Sequence, residues 1–195
     1  MRVTFKGVAI PAAGFLNRLG MTPNMVTLAG LAGQMVAAVL LAYGQISWGG
    51  LLLVLVAPLD FLDGTLARLR GTPTRFGAFL DSVTDRYAEL SIFGGLLIFY
   101  ARQQDWMACG ITYLAAMGSV LVSYVRARAE GVGYSAKVGL LSRVERYLIL
   151  VPLLIFNVPF WAVLILAVLT NFTALQRIFH VRSQAEKDPD NIIKS

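Results

Sequence analysis

Apolar residues recur in long runs from about residue 23 to residue 180, broken by short polar or glycine-containing stretches. Runs of this length are what a helix needs to cross a lipid bilayer. The pattern predicts six such helices, over 23–43, 48–70, 74–100, 106–129, 142–157 and 159–180. Thr22-Pro23 reads as an N-cap followed by proline at the first helical position. Asn157 and Pro159 separate the last two helices. The second and third exceed the ~20 residues of a span, so their ends are expected to project into the interface. Ahead of them, residues 1–22 mix Val3, Phe5, Val8, Ile10, Phe15, Leu16 and Leu19 with Arg2, Lys6 and Arg18. That is the pattern of a short amphipathic helix lying on the membrane surface. It has neither the long apolar core nor the clear cleavage site of a signal peptide. The expected architecture is an all-α integral membrane protein. It has an N-terminal amphipathic interfacial helix within residues 1–22, a six-helix transmembrane domain at 23–182 and a polar tail at 183–195.

Composition supports this class: 57% of the 195 residues are apolar, an excess typical of membrane proteins. The single cysteine, Cys109, permits neither an internal disulfide nor a thiolate metal cluster. The net charge of +6 is not read as a nucleic-acid signal. In a membrane protein, basic residues mark the cytoplasmic face. With six spans both termini lie on one side, and of the 17 Lys and Arg only Arg102 falls on the other. The shared side is therefore expected to be cytoplasmic in a multi-pass protein of the cell's inner or plasma membrane. Trp48, Trp106 and Trp161 fall near the opposite helix ends, where interfacial tryptophans are expected.

Against this apolar background stand Asp60, Asp63, Asp81 and Asp85, in DFLDGTLARLRGTPTRFGAFLDSVTD. The first pair is spaced i, i+3 and the second i, i+4, so each shares one helix face. Gly64 and Ala67 lie on the first face with Arg68 at its edge, and Gly77 lies on the second. Gly71 and Pro73 mark a turn between them. Ionised carboxylates at membrane depth are costly and persist where they face a polar cavity or a ligand. Four together repel one another, and divalent cations relieve that repulsion. Oxygen donors suit Mg²⁺, Mn²⁺ or Ca²⁺ rather than Zn²⁺. Small residues leave room near the backbone, and Arg68 can pair with phosphate. The residues alone indicate a metal and phosphate site at a membrane surface. The competing class, a cation transporter, would carry polar residues at more than one depth, whereas these aspartates gather toward one face.

The spacing D-x-x-D-G-x-x-A-R … G-x-x-x-D-x-x-x-D resembles the signature of the CDP-alcohol phosphotransferases, and every position of it is present. The resemblance implies transfer of a phosphatidyl or similar lipid-phosphate group from a CDP-linked lipid, such as CDP-diacylglycerol, to an alcohol, releasing CMP. It implies two divalent cations, Mg²⁺ or Mn²⁺, held by Asp60, Asp63, Asp81 and Asp85, with Asp85 also the catalytic base. It implies nucleotide contacts from Gly64, Ala67, Arg68 and Gly77, and from Asn24 and Thr27 of the first helix. A homodimer in membrane lipid is the family expectation.

A second polar cluster spans SYVRARAEG (123–131) and KVGLLSRVERYL (137–148). Several guanidinium groups around a polar pocket suit a phosphorylated acceptor, although positive-inside topology alone also places basic residues here. Both segments are similar to those of the phosphatidylinositol phosphate synthases, a branch of the same family. This implies a small phosphorylated alcohol as acceptor, inositol 1-phosphate ahead of glycerol 3-phosphate. The implied phosphate ligands are Arg126 and Arg146, with Arg128 and Arg143 next. A C-terminal arginine, Arg177 or Arg182, is a further candidate. The usual R-P-E-R of that branch reads RVER here, with Val144 in place of proline. Glu89, one turn beyond Asp85, is weighed as an extension of the acidic face or an arginine partner. Glu145 is expected to orient its neighbouring arginines, and His180 to be an interface residue.

Overall fold

The computed structural model describes residues 4–71 and 73–188. Arg2, Val3 and residues 189–195 of the expected tail lie outside them. Eight α-helices occupy the described residues: α1 Thr4–Arg18, α2 Pro23–Ala42, α3 Ile46–Val56, α4 Leu59–Leu69, α5 Arg75–Arg102, α6 Trp106–Gly131, α7 Arg143–Ile155 and α8 Pro159–Ala185. The chain divides into two compact units, residues 1–99 and 100–195, with the boundary inside α5.

The expected helix at 48–70 is two helices, because Pro58 interrupts it. Proline offers no N–H to the preceding turn, and its ring crowds the carbonyl four residues back. Ala57 and Pro58 nevertheless keep right-handed helical dihedrals. The result is a kink in a continuing path rather than a turn. Four helical stretches are long and apolar enough to cross a membrane: Pro23–Ala42, Ile46–Leu69 across the kink, Trp106–Gly131 and Pro159–Ala185. Such a set makes a multi-pass membrane protein. Of the six expected spans, α5 carries Asp81, Asp85, Arg86 and Glu89 in its first half, and α7 has 13 residues.

In the first unit, α2 is the central strut. Its N-cap Thr22 accepts a hydrogen bond from the Met25 N–H at 3.3 Å, with Pro23 at the first helical position. Small residues let other helices close on it. A Cβ at Gly33 would lie 2.7 Å from Val56 of α3, and one at Gly95 of α5 would collide with the backbone carbonyl of Ala38. α1 packs against α4. Ala13, Val26 and Leu66 are fully buried there, with Leu16, Met21, Leu59 and Leu62 against them.

In the second unit, α8 packs along α6 and α7. The seam contains buried hydroxyls that bond to carbonyls of their own helix. Thr112 donates to Ala108 at 2.7 Å and Thr170 to Leu166 at 2.6 Å. A hydroxyl bonded in this way needs no partner from lipid. Asn171 of α8 reaches across and donates to the Leu114 carbonyl at 3.0 Å.

The Gly95 contact gives a paired test. Gly95→Ala is expected to lower the thermal unfolding midpoint in detergent by roughly 5 °C, from an overpacking cost of about 2 kcal/mol. Gly94→Ala, where an added Cβ meets nothing within 4 Å, is expected to leave the midpoint unchanged or raise it slightly.

Candidate active site

The first unit carries a partly open cavity of about 450 Å³. The start of α2 contributes Thr22, Pro23, Asn24 and Thr27 to its wall, and α4 contributes Asp63, Gly64, Ala67 and Arg68. Arg70, Pro73 and Thr74 come from the connection to α5, and Gly77, Ala78 and Asp81 from α5 itself. Every residue expected from the sequence to contact nucleotide (Asn24, Thr27, Gly64, Ala67, Arg68 and Gly77) therefore lines this one cavity.

Asp63 is the buried anchor of the site, 7% exposed. The Thr27 hydroxyl donates to its Oδ2 at 2.6 Å, and the Gly64 N–H donates to its Oδ1. Asp60 and Asp81 both lie near enough for their charges to act on it. Asp60 is off the cavity wall and lies against bare backbone of α2, since a Cβ at Gly30 would stand 3.1 Å from its Oδ1. Asp85 follows Asp81 by one turn; its Oδ2 is 3.8 Å from Nη1 of Arg86 and its side chain is 12% exposed.

Arg68 folds back over the small surface of Gly64, with Nη1 3.8 Å from where a Cβ would stand and Nη2 donating to Thr65 at 3.3 Å. At the other wall, the Thr74 hydroxyl accepts from the Gly77 N–H at 2.9 Å and so caps the start of α5. Asn24 of α2 also approaches Gly77, its Oδ1 3.7 Å from a Cβ position.

The donor set fits a divalent cation in kind: oxygen-only, four acids on consecutive helices, with Asp60 and Asp81 coupled to Asp63. Among the described residues, no three acidic, histidine or cysteine side chains close into a group that would already hold an ion. Glu89 is buried at 6% exposure.

The second unit holds the arginines. Arg146 of α7 is 2% exposed and Arg177 of α8 is 5% exposed. Arg177 donates from Nε to the Val138 carbonyl at 2.9 Å and from Nη1 to the Val122 carbonyl at 2.5 Å. The charges of Arg126 and Arg146 repel it and that of Glu130 attracts it, so three guanidinium groups share one neighbourhood. Arg126 is paired with Glu130 at 3.0 Å. Arg128 is exposed at the end of α6, and Arg143 lies over the Tyr147 ring at 5.8 Å. Of the two C-terminal candidates, Arg177 joins the cluster. Arg182 instead pairs with Glu186 at 2.8 Å on the surface. Glu145 accepts from the Ser142 N–H at 2.9 Å in a capping box at the start of α7. His180 is exposed.

The sequence alone did not single out Thr22, Arg70, Pro73, Thr74 and Ala78 as cavity residues. Thr22 was legible as a cap and Arg70 only as a topological charge. Arg70, Pro73 and Thr74 belong to the connection between helices, which leaves no periodic trace in the sequence.

Comparison with known proteins bears on this arrangement. A phosphatidylinositol phosphate synthase of Mycobacteroides abscessus is 40% identical over 193 residues, covering 93% of this chain and 87% of that one. The solved structure of Mycobacterium tuberculosis phosphatidylinositol phosphate synthase with CDP-DAG bound matches with a TM-score of 0.87 at 30% identity, over 96% of this chain and 98% of that one. The same M. tuberculosis protein in complex with manganese and citrate gives 0.88 over 96% and 93%. The CDP-alcohol phosphatidyltransferase pattern matches residues 20–179, a stretch that takes in the whole cavity wall and the arginine cluster. With that match added to the complete aspartate signature, the chain belongs to the CDP-alcohol phosphatidyltransferase family, a family of transferases.

Proposed function

We propose that this protein transfers a phosphatidyl group from CDP-diacylglycerol to the hydroxyl of inositol 1-phosphate, releasing CMP. The observation that carries the reading is the first-unit cavity, where the nucleotide residues expected of the family meet Asp63 and Asp81. The relatives add substrate chemistry: the M. abscessus protein is named for inositol phosphate, and the M. tuberculosis protein has been solved with CDP-DAG and with manganese.

In this reading Asn24, Thr27, Gly64, Ala67 and Gly77 bind the nucleotide, and Arg68 pairs with its diphosphate. Asp60, Asp63, Asp81 and Asp85 would hold Mg²⁺ or Mn²⁺. A bound divalent cation supplies charge neutralisation to the diphosphate and to the leaving CMP. Arg126 and Arg146, with Arg177 beside them, hold the acceptor phosphate, and Arg128 and Arg143 add positive charge. Asp85 takes the proton of the acceptor hydroxyl as its oxygen attacks the lipid-side phosphorus. The phosphorus–oxygen bond to CMP breaks, and CMP leaves with that oxygen.

We further read α5 and α7 as completing six spans, with the cavity on the cytoplasmic side where the Lys and Arg gather. α7 is short, about 20 Å against a ~30 Å hydrocarbon core, which a locally thinned bilayer accommodates. α1 lies along the interface, the polar tail follows α8, and the protein forms a homodimer.

The first test is CMP release from CDP-diacylglycerol and Mg²⁺ by purified protein, with inositol 1-phosphate and glycerol 3-phosphate supplied separately. Release with inositol 1-phosphate alone is expected; release with glycerol 3-phosphate alone would overturn the acceptor. Asp85→Asn is expected to reduce turnover by at least about 100-fold while CDP binding stays within twofold. A near-normal rate would remove Asp85 as the base. Arg146→Lys keeps the charge and loses paired hydrogen bonding. It should raise the acceptor KM about tenfold and leave the CDP-diacylglycerol KM within twofold. The reverse pattern would sink the assignment.

A further inference from the structure

Arg70 stands outside the family signature, yet it lines the same cavity as Arg68. Two residues apart on a continuing helix, they would point about 200° apart. The helix stops there instead: Arg70 is the C-cap of α4, and Gly71 follows with φ +66°. The chain then turns back past Pro73 and Thr74, which line the cavity as well.

A separate helix holds Arg70 in place. Its Nε donates to Oδ1 of Asn17, in the last turn of α1, at 2.6 Å. α1 is in turn seated by Ala13 and Leu16 on Leu66 of α4 and Val26 of α2. The site of Arg70 is thus fixed from both ends, by its own helix and by a neighbour's amide. The bond to Asn17 occupies Nε. End-on pairing of a guanidinium with phosphate uses the two terminal nitrogens, so the held side chain retains the donors that an anion needs.

We propose that Arg70 is a second guanidinium contact to the diphosphate of the CDP-linked lipid, and that Asn17 is its positioning residue. The proposal rests on the function given above and gives α1 a part in substrate binding. Arg68 approaches the diphosphate from the α4 face and Arg70 from the turn, so the two grip it from different directions.

The test titrates CDP, and cytidine by competition, into the full-length detergent-purified protein and into Arg70→Ala, Arg70→Lys, Asn17→Ala and the Asn17→Ala/Arg70→Ala pair. Arg70→Ala is expected to weaken CDP about tenfold, the scale of one charged hydrogen-bonding contact, and cytidine less than twofold. Arg70→Lys, which keeps the charge, should fall between wild type and Arg70→Ala. Asn17→Ala should weaken CDP about threefold and add nothing in the Arg70→Ala background. Equal losses for CDP and cytidine, additive losses in the double variant, or unchanged CDP affinity in Arg70→Ala would each overturn the proposal. CMP release by the wild type separates the two levels. Normal release with unchanged CDP affinity in Arg70→Ala removes this inference alone. The expected binding pattern, with no release to any phosphorylated alcohol, removes the proposed reaction alone.

Discussion

The hydrogen bond from Thr27 to Asp63 ties the first unit together at its most demanding point. A carboxylate at 7% exposure among apolar helices is tolerable only if its oxygens are engaged. Thr27 engages one and the Gly64 N–H the other. The two donors come from different helices, so satisfying Asp63 also fixes α4 against α2. The glycines serve the same end: Gly30 admits Asp60 beside α2, and Gly95 lets α5 close on Ala38. Where side-chain volume is absent at these places, a neighbouring helix or side chain comes up to the backbone.

Legibility from sequence differed by feature, for physical reasons. The six predicted helical regions overlap α2 to α8, with ends displaced by a few residues, because long apolar runs have few alternatives in lipid. The Thr22-Pro23 start was readable because capping is a local event. The break at Pro58 was there to be read, yet the apolar run continues through it and masks it. Six of the eight signature positions, Asp63, Gly64, Ala67, Arg68, Gly77 and Asp81, line one cavity, in keeping with their helical spacing. What spacing could not convey was the division of labour within the acids: Asp63 and Asp81 on the cavity wall, Asp60 against Gly30. That depends on how helices are rotated about one another. Arg70 was invisible for a related reason, since a turn has no period.

The arginines of the second unit illustrate a different solution to buried charge. Among the described residues, Arg177 has no carboxylate at contact distance. It spends its donors on the carbonyls of Val122 and Val138, so backbone dipoles serve as its counter-charge. Gly139, with φ +116° and a Cβ position against Thr173, lets the connecting loop pass close enough to supply one of them. The guanidinium becomes part of the scaffold, holding a loop to two helices. Arg126 of the same cluster is instead ion-paired, with Glu130 at 3.0 Å.

A cavity of about 450 Å³ is of the size that takes a drug-like molecule. It has room for a nucleoside diphosphate and none for two acyl chains besides. On the proposed reaction, the chains of substrate and product stay in the lipid throughout while only headgroups change hands. The donor is then met by lateral diffusion in two dimensions, and its effective concentration is a mole fraction of the surrounding lipid. Diluting the enzyme in water would not starve it; diluting its substrate with other lipids would.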